Sequence, residues 1–305
     1  MISQHLPVID SINFKNIHKL LINFIKEEVK RTGVNKIVLG LSGGIDSAVS
    51  CYLAVSALGS DNVAAILMPY KASSSKSLED GMLVVKNLNI NHYIIDITDQ
   101  IDVYFDKIGS NKSYYNNNSE YNKSNFNFED KSKESNYELK LRMGNKMARE
   151  RMSILYDRSH ILNSLVLGTS NKSELLLGYG TIYGDMASAL NPIGDIYKTQ
   201  IYQLAKHLGV PESLINKAPS ADLWQDQSDE KELGFTYKLA DEIMFLLVDK
   251  MYKPEVVISM GYDEDIVHKV YNKIKKSQFK RRQPLIAKVS QRTINIDFRY
   301  LRDWI

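Results

Sequence analysis

Residues 38–47 read V-L-G-L-S-G-G-I-D-S, a stretch that leaves the backbone few paths. Ile37, Val38 and Leu39 form an apolar run with strand character. Two adjacent glycines then permit a tight turn, and the residues after them have helical periodicity. A strand that turns straight into a helix, repeated as short apolar strands alternating with helices along the chain, argues for a parallel sheet. The same turn has a chemical consequence. Ser42, Gly43 and Gly44 would turn several backbone N–H groups toward one point, with no Cβ on either glycine to block a ligand. Such a nest at a helix N-terminus attracts an anion. Asp46 stands beside it, where a carboxylate makes sense with a cation, the Mg²⁺ that travels with a nucleotide. The run is not a Walker loop, since G-x-x-x-x-G-K-[ST] is missing. The plainer alternative is a strand-to-helix turn that is merely glycine-rich.

The rest of the chain extends the pattern. Apolar positions Ile17, Leu20, Leu21, Phe24 and Ile25 predict an amphipathic helix from Ile12 to Lys30. Strands are expected at Lys36–Leu41, Val63–Met68, His92–Ile97 and Ser164–Leu167, with helical stretches between them. This predicts an α/β fold, a Rossmann-like parallel sheet with helices on both faces, and ligands beyond the carboxyl ends of the strands. The last third reads as helical, with Ile201, Leu204, Ala205 and Leu208 on one face and Leu239, Ile243, Leu246 and Leu247 on another. Residues 109–136, dense in Asn, Ser, Lys and Tyr, read as a low-complexity, disordered insertion in a single domain spanning 1–305. Its tyrosines and lysines suit a nucleic acid, but compositional drift is the simpler account. The basic run Lys273–Arg282 is a solvated face or a cover for phosphates.

Charge and cysteine content narrow the function. A net charge of +3 gives no argument for a nucleic-acid partner. No apolar stretch is long enough to cross a bilayer, and the N-terminus lacks a basic region followed by an apolar run. One cysteine, Cys51, excludes an internal disulfide and a Cys-rich zinc site, and it shares a helical stripe with Ala48, Tyr52 and Val55. These features point to a cytoplasmic protein.

Three further segments hold polar residues where a core would not want them. In G-N-K-M-A-R-E-R-M (144–152), Asn145 is placed to cap a helix whose Ala148, Met152 and Leu155 face inward, with Arg149 at the edge of the stripe. The second, G-T-S-N-K-S-E-L-L-L-G-Y-G-T-I-Y-G-D (168–185), ends a strand at Gly168-Thr169 and starts a short helix carrying Glu174. The third comprises P-I-G-D-I-Y-K (192–198) and A-P-S-A-D-L-W-Q-D-Q-S-D-E (218–230). Together with the glycine loop these runs resemble the NAD synthetase family of the ATP-pyrophosphatase group, from Lys36 to about Pro284 apart from the insertion.

The resemblance implies a set of roles. Gly40, Leu41, Ser42, Gly43, Gly44, Ile45, Asp46 and Ser47 would bind ATP, with Thr169, Lys198 and Ser220 also contacting it. Asp46 and Glu174 would hold Mg²⁺, and Arg149 and Lys280 would contact deamido-NAD. The implied reaction is ATP-dependent amidation of deamido-NAD with ammonia through an adenylate, giving NAD⁺, AMP and pyrophosphate. Asp46 and Lys198 would carry the chemistry, with Lys198 near the α-phosphate and Asp185 assisting deprotonation of ammonium. Each position also has a local reading, Thr169 and Glu174 as helix-start residues and Lys198 as an exposed first-turn lysine. Ile182, Ala189 and Phe279 depart from the lysine, acidic residue and histidine of many bacterial members, which bears on the dinucleotide contacts. No stretch before Lys36 is long enough for the amidase domain of glutamine-dependent members, so free ammonia is the expected donor. A homodimer is expected, with helices 12–30 and 139–162 as candidate interface. The rival readings are another adenylating or tRNA-modifying relative and an inactive nucleotide-binding module.

Overall fold

The computed structural model describes residues 13–110, 135–220, 222–224, 227–282, 284–294 and 296–297. Helix α1 (Phe14–Arg31) opens the order, capped by Asn13, whose side chain accepts the Asn16 N–H. Strand β1 (Ile37–Gly40), α2 (Ile45–Leu58), β2 (Val63–Leu67), α3 (Ser75–Leu88), β3 (Asn91–Ile94) and α4 (Thr98–Ser110) follow. Then come α5 (Asn136–Leu162) and β4 (Leu165–Val166). The remainder is helical, with α6 (Lys172–Leu177), α7 (Lys198–Leu208), α8 (Glu212–Ile215), α9 (Asp229–Leu233), α10 (Tyr237–Met244), α11 (Pro254–Ser259) and α12 (Glu264–Lys276).

All strand pairs are parallel and the order is β3-β2-β1-β4. The chain steps outward from β1 to β3 and then returns to the other side of β1. That reversal leaves a crevice beyond the carboxyl ends of β1 and β4. Alternation along the strands explains the layers. Ile37, Leu39, Val63, Ala65 and Leu67 turn to a core shared with α1, α2 and α7, and α2 is buried nearly all round. Val38, Ala64, Ile66 and Met68 turn the other way, onto Ile97, Ile101 and Met147, Met152 and Leu155 of α5. A fully buried Leu or Ile contributes about 1.5–3 kcal/mol, so a one-residue slip of β1 would be prohibitive. A third apolar cluster, around Leu177, Tyr197, Tyr237, Ile243 and Val267, holds the C-terminal helices together.

The predicted α/β sheet with helices on both faces is thus what forms, with boundaries shifted by a few residues. Three expectations need correction or limits. Asn145 does not cap a helix, because α5 already starts at Asn136 under a Ser135/Glu138 capping box, and Asn145 instead accepts the Thr181 hydroxyl at 2.7 Å. In α1, Leu21, Ile25 and Val29 are buried, whereas Leu20 (62 % exposed) and Phe24 (37 %) face away from the core. The 109–136 insertion falls almost wholly outside the described residues, and its flanks are the helical ends of α4 and α5. Cys51 is buried, and that burial pushes its thiol up to about 12, which suits packing and not nucleophilic chemistry. Among the described residues no helix is long and apolar enough to cross a membrane.

Candidate functional site

The glycine loop occupies the mouth of the crevice. Gly43 has φ +73°, a left-handed conformation, and a Cβ there would lie 2.0 Å from the Ser77 carbonyl oxygen. Only glycine fits both demands. The loop is braced internally: Ser47 Oγ donates to the Gly44 carbonyl (2.9 Å), lies 3.1 Å from Ser42 Oγ, and accepts the Ser42 N–H at 3.3 Å. The first intrahelical bond of α2 runs from Ala48 N–H to the Gly44 carbonyl at 3.1 Å. The N–H groups of Ile45, Asp46 and Ser47 precede it and have no partner within the helix, which is the anion-attracting arrangement expected from the sequence. From the far side, Lys217 Nζ donates to the Gly43 carbonyl, Ser77 Oγ and Asp80, each at 3.1 Å. Gly43→Ala is therefore expected to weaken ATP binding at least tenfold while the core stays folded. Calorimetric titration with ATP beside a thermal melt checks this, and wild-type affinity would refute the steric account.

Charge converges just inside the loop. Lys198, the first residue of α7, is only 3 % exposed, and its ammonium is paired with Asp46 and lies 3.3 Å from Glu174 Oε1. Asp46 Oδ1 also accepts Asn171 Nδ2 at 2.8 Å. Glu174 reaches this point because it is the third residue of α6 and caps it reciprocally with Asn171. Burial, then the negative charge of Asp46, push the Glu174 carboxyl up to about 8, against the pull of Lys198. Burial alone would lower the Lys198 ammonium, but Asp46 and Glu174 outweigh it and hold the pKa above the ordinary lysine value. So Lys198 is a buried cation and not an exposed first-turn lysine.

Behind these groups stands Asp241, fully buried in α10. It accepts from Ser173 Oγ (2.5 Å), Thr199 N–H (2.9 Å) and Thr199 Oγ1 (2.8 Å), while Ser173 Oγ accepts the Lys198 N–H at 2.8 Å. One carboxylate thus ties the start of α6, which carries Glu174, to the start of α7, which carries Lys198. Burial raises its pKa to about 6 against the bonds that favour its charge. The native state then holds the Asp241 proton more tightly than the unfolded chain. Stability from this group is fullest below its unfolded pKa and falls as pH rises through about 6. Asp241→Asn is expected to remove that decline, of order 3 kcal/mol, between about pH 4 and pH 6. Urea denaturation of both proteins across that range measures it, and parallel pH curves would refute it.

The other expected site residues are distributed around one cleft of about 540 Å³. Gly40, Leu41, Ser42, Gly44, Ile45, Asp46, Ser47, Thr169, Glu174, Asp185, Lys198, Ser220 and Lys280 line it. Gly43 sits behind the wall, under Ser77. Arg149 is exposed and not among the residues that line the cleft, its Nε donating to the Ile182 carbonyl at 3.2 Å. Lys280 donates to the carbonyls of Gly178 and Gly180, both at 2.8 Å. Asp185 is exposed, its carboxylate accepts the Thr181 N–H at 2.8 Å, and desolvation within the cleft raises its pKa against that bond and the pull of Lys280 and Arg151. Of the departures, Ile182 offers its backbone to Arg149, and Phe279 is exposed.

Sequence reasoning passed over several cleft residues. Tyr179 donates to Asp229 and Glu232, each at 3.0 Å, and Gln227 donates to Glu232 at 3.0 Å. Arg151, Lys217 and Asp222 also line the walls. Lys217 and Glu232 lie outside the runs singled out in the sequence, and the others lie within them but without a local feature that distinguishes them from their neighbours. A usable signal existed for Asp241 alone, a carboxylate amid the apolar stripe Leu239, Ala240, Ile243 and Met244. Among the described residues no cluster of three His, Cys, Asp or Glu could hold a metal ion. Mg²⁺ accompanying a nucleotide needs only one or two protein carboxylates, the rest being phosphate oxygens and water, so the Asp46/Glu174 donor pair fits it.

The chain is similar to known proteins over nearly its whole length. The NH(3)-dependent NAD(+) synthetase of Trichlorobacter lovleyi is 48 % identical over 294 residues, covering 96 % of this chain and 98 % of the relative. That of Fusobacterium nucleatum is 48 % identical over 280 residues, 92 % of this chain and 98 % of the relative. Among solved structures, the NH3-dependent NAD synthetase from Campylobacter jejuni, in complex with the nitrate ion, superposes with TM-score 0.69 at 36 % identity. It covers 91 % of this chain and 100 % of that one. The NMN synthetase from Francisella tularensis gives TM-score 0.73 at 29 % identity, covering 90 % and 99 %. Residues 17–284 match the family described as NAD synthase, and with relatives this similar over nearly the whole chain, the chain belongs to the NAD synthase family.

Proposed function

We propose that this chain amidates deamido-NAD with ammonia at the expense of ATP, the final step of NAD synthesis. The observation that carries the reading is the buried Lys198 ammonium between Asp46 and Glu174, directly inside an anion-binding glycine loop. In the proposed sequence the nicotinate carboxylate attacks the α-phosphorus of ATP, forming a mixed anhydride and releasing pyrophosphate. Ammonia then attacks the activated carbonyl and AMP leaves. The N–H groups at the start of α2 take the phosphate oxygens that depart as pyrophosphate. Lys198 meets the charge that develops at the α-phosphate. Asp46 and Glu174 would hold Mg²⁺, which when bound offsets the negative charge of the phosphate oxygens. Thr169 and Ser220 would contact ATP, and Arg149 and Lys280 the dinucleotide. Asp185 remains the candidate to assist ammonium deprotonation, and the raised pKa of its carboxyl is compatible with accepting a proton.

A second reading concerns the size of the substrate. Ile182, Ala189 and Phe279 remove contacts that the resemblance assigns to the dinucleotide, and an NMN synthetase is among the similar structures. The same amidation on nicotinate mononucleotide would use the same ATP site. A single experiment separates the readings. Purified protein is incubated with ATP, Mg²⁺ and ammonium, and with either deamido-NAD or nicotinate mononucleotide, and the products are weighed by mass spectrometry. NAD⁺ and AMP in equal amounts support the first reading, amidated mononucleotide with AMP the second. AMP in neither case would overturn both.

We also infer a homodimer working in the cytoplasm as a single domain. Support for the dimer comes from outward apolar side chains, Val103 and Tyr104 of α4 with Tyr156 and Ile161 of the adjoining α5 and, on the other face of the sheet, Leu20 and Phe24 of α1. Light scattering that gives a monomer at micromolar concentration would refute the dimer.

A further inference from the structure

Arg151 is a cleft residue that nothing above uses. It lies on α5 and lines the same cavity as the glycine loop. Its Nε donates to the carbonyl of Met68, at the carboxyl end of β2, at 3.1 Å. Among the described residues its two terminal nitrogens have no hydrogen-bond partner and no carboxylate within ion-pair distance. The carboxylates that act on it from further away are Asp222 and Asp185. Both are already engaged, Asp222 with the Ser74 N–H at 3.3 Å and Asp185 with the Thr181 N–H at 2.8 Å.

A structural arginine in this chain looks different. Arg281 spends both terminal nitrogens on the carbonyls of Leu175, Leu176 and Ile274 and on Ser277 Oγ. Arg149, by contrast, uses Nε alone on a backbone carbonyl and leaves its fork open, as Arg151 does. Desolvating a guanidinium with no counter-ion is costly, and burial holds the Arg151 pKa below the usual arginine value. Such a group is stabilised by an anion that arrives with a ligand. The anchored Nε fixes the plane of the fork, so its remaining donors present a bidentate edge suited to phosphate. On one side are the end of β2 and Asp222, whose N–H bonds Ser220 Oγ at 3.1 Å. On the other is Asp185, beside Lys280. Arg151 therefore stands where the ATP side of the cleft meets the side of the second substrate.

We infer that Arg151 binds a phosphate group of a nucleotide held in the cleft, through the two nitrogens left free by its anchor on Met68. The inference rests on the nucleotide reading proposed above. The phosphate belongs to ATP or to the second nucleotide, and the binding experiment distinguishes them. Wild type, Arg151→Met and Arg151→Lys are each titrated calorimetrically with Mg²⁺ and α,β-methylene-ATP, and separately with deamido-NAD, with thermal melts alongside. Arg151→Met is expected to weaken one of the two at least tenfold without a comparable loss of melting temperature. Arg151→Lys should recover part of the affinity, as a charge without the fork. Weakening of the ATP analogue assigns the phosphate to ATP, and weakening of deamido-NAD assigns it to the dinucleotide. Both affinities within twofold of wild type in Arg151→Met would overturn the inference. Should Arg151→Met fail to fold, Arg151→Lys decides alone: at least threefold weaker binding of one ligand supports it, and unchanged binding of both overturns it. A wild-type protein that binds neither nucleotide would instead refute the nucleotide reading itself.

Discussion

Asp46→Ala is expected to lower Mg²⁺-dependent pyrophosphate release by about a thousandfold or more. The substitution deletes one of the two carboxylates that fit Mg²⁺. Charge stabilisation of this kind is worth several kcal/mol, and about 4 kcal/mol corresponds to a thousandfold in rate. It also strips the Lys198 ammonium of its closest counter-ion and Asn171 of its acceptor. Breaking a buried pair from one side destabilises by about 3–5 kcal/mol, so the alanine variant loses stability as well as activity. Asp46→Asn separates the two effects, since the amide keeps the shape and a polar partner for its neighbours but not the charge. It should fold with a melting temperature nearer to wild type and remain as inactive as the alanine variant. Pyrophosphate release measured against Mg²⁺ concentration provides the check, and full activity in either variant would sink the metal assignment.

Lys198→Met should reduce kcat by about a hundred- to a thousandfold, the scale seen when one preorganised group that meets transition-state charge is removed. The apparent KM for ATP should move much less, because the N–H groups of the loop and Lys217 remain in place. A second readout follows from the electrostatics. Lys198 pulls the Glu174 pKa down, whereas burial and Asp46 push it up, with a balance at about 8. Removing the ammonium leaves burial and Asp46 opposed only by the Asn171 N–H bond, so the Glu174 pKa rises. If ionised Glu174 is the competent form, the acidic limb of the residual rate profile moves to higher pH. A kcat within twofold of wild type would show that Lys198 holds the fold and not the reaction. Loss of activity with an unmoved pH limb would separate Lys198 from Glu174.

Much of this site was legible because its key pieces are local. The turn from β1 into α2 needs a glycine where φ is positive and the Ser77 carbonyl comes close. Both demands fall within the run that carries Asp46. The position of Glu174 at the start of a helix was legible for the same reason, as the third residue after Asn171, whereas its pairing with Asp46 followed only from the family resemblance. The misplaced cap shows the limit of local reading. Gly144-Asn145 looks like a helix start, yet Ser135 and Glu138 hold the stronger signal, and helical propagation carries α5 through the glycine. Leu20 and Phe24 fit the apolar stripe of α1 but lie beyond what α2 and α7 cover, since a stripe does not state its own width.

The sequence by itself determined the strand–turn–helix unit, the anion-binding loop and Asp46 beside it, because each depends on residues within a turn or two of one another, and the alternation of strands and helices along the chain gave the parallel class of the sheet. Tertiary structure decided which distant groups share the crevice. The β3-β2-β1-β4 order brings Lys198 and Glu174 to Asp46, sets Lys217 under the loop, and leaves the fork of Arg151 open to the cleft. The physical reason is that electrostatic partnership depends on distance and burial, and neither is fixed until the strands have chosen their neighbours and the helices have closed over them.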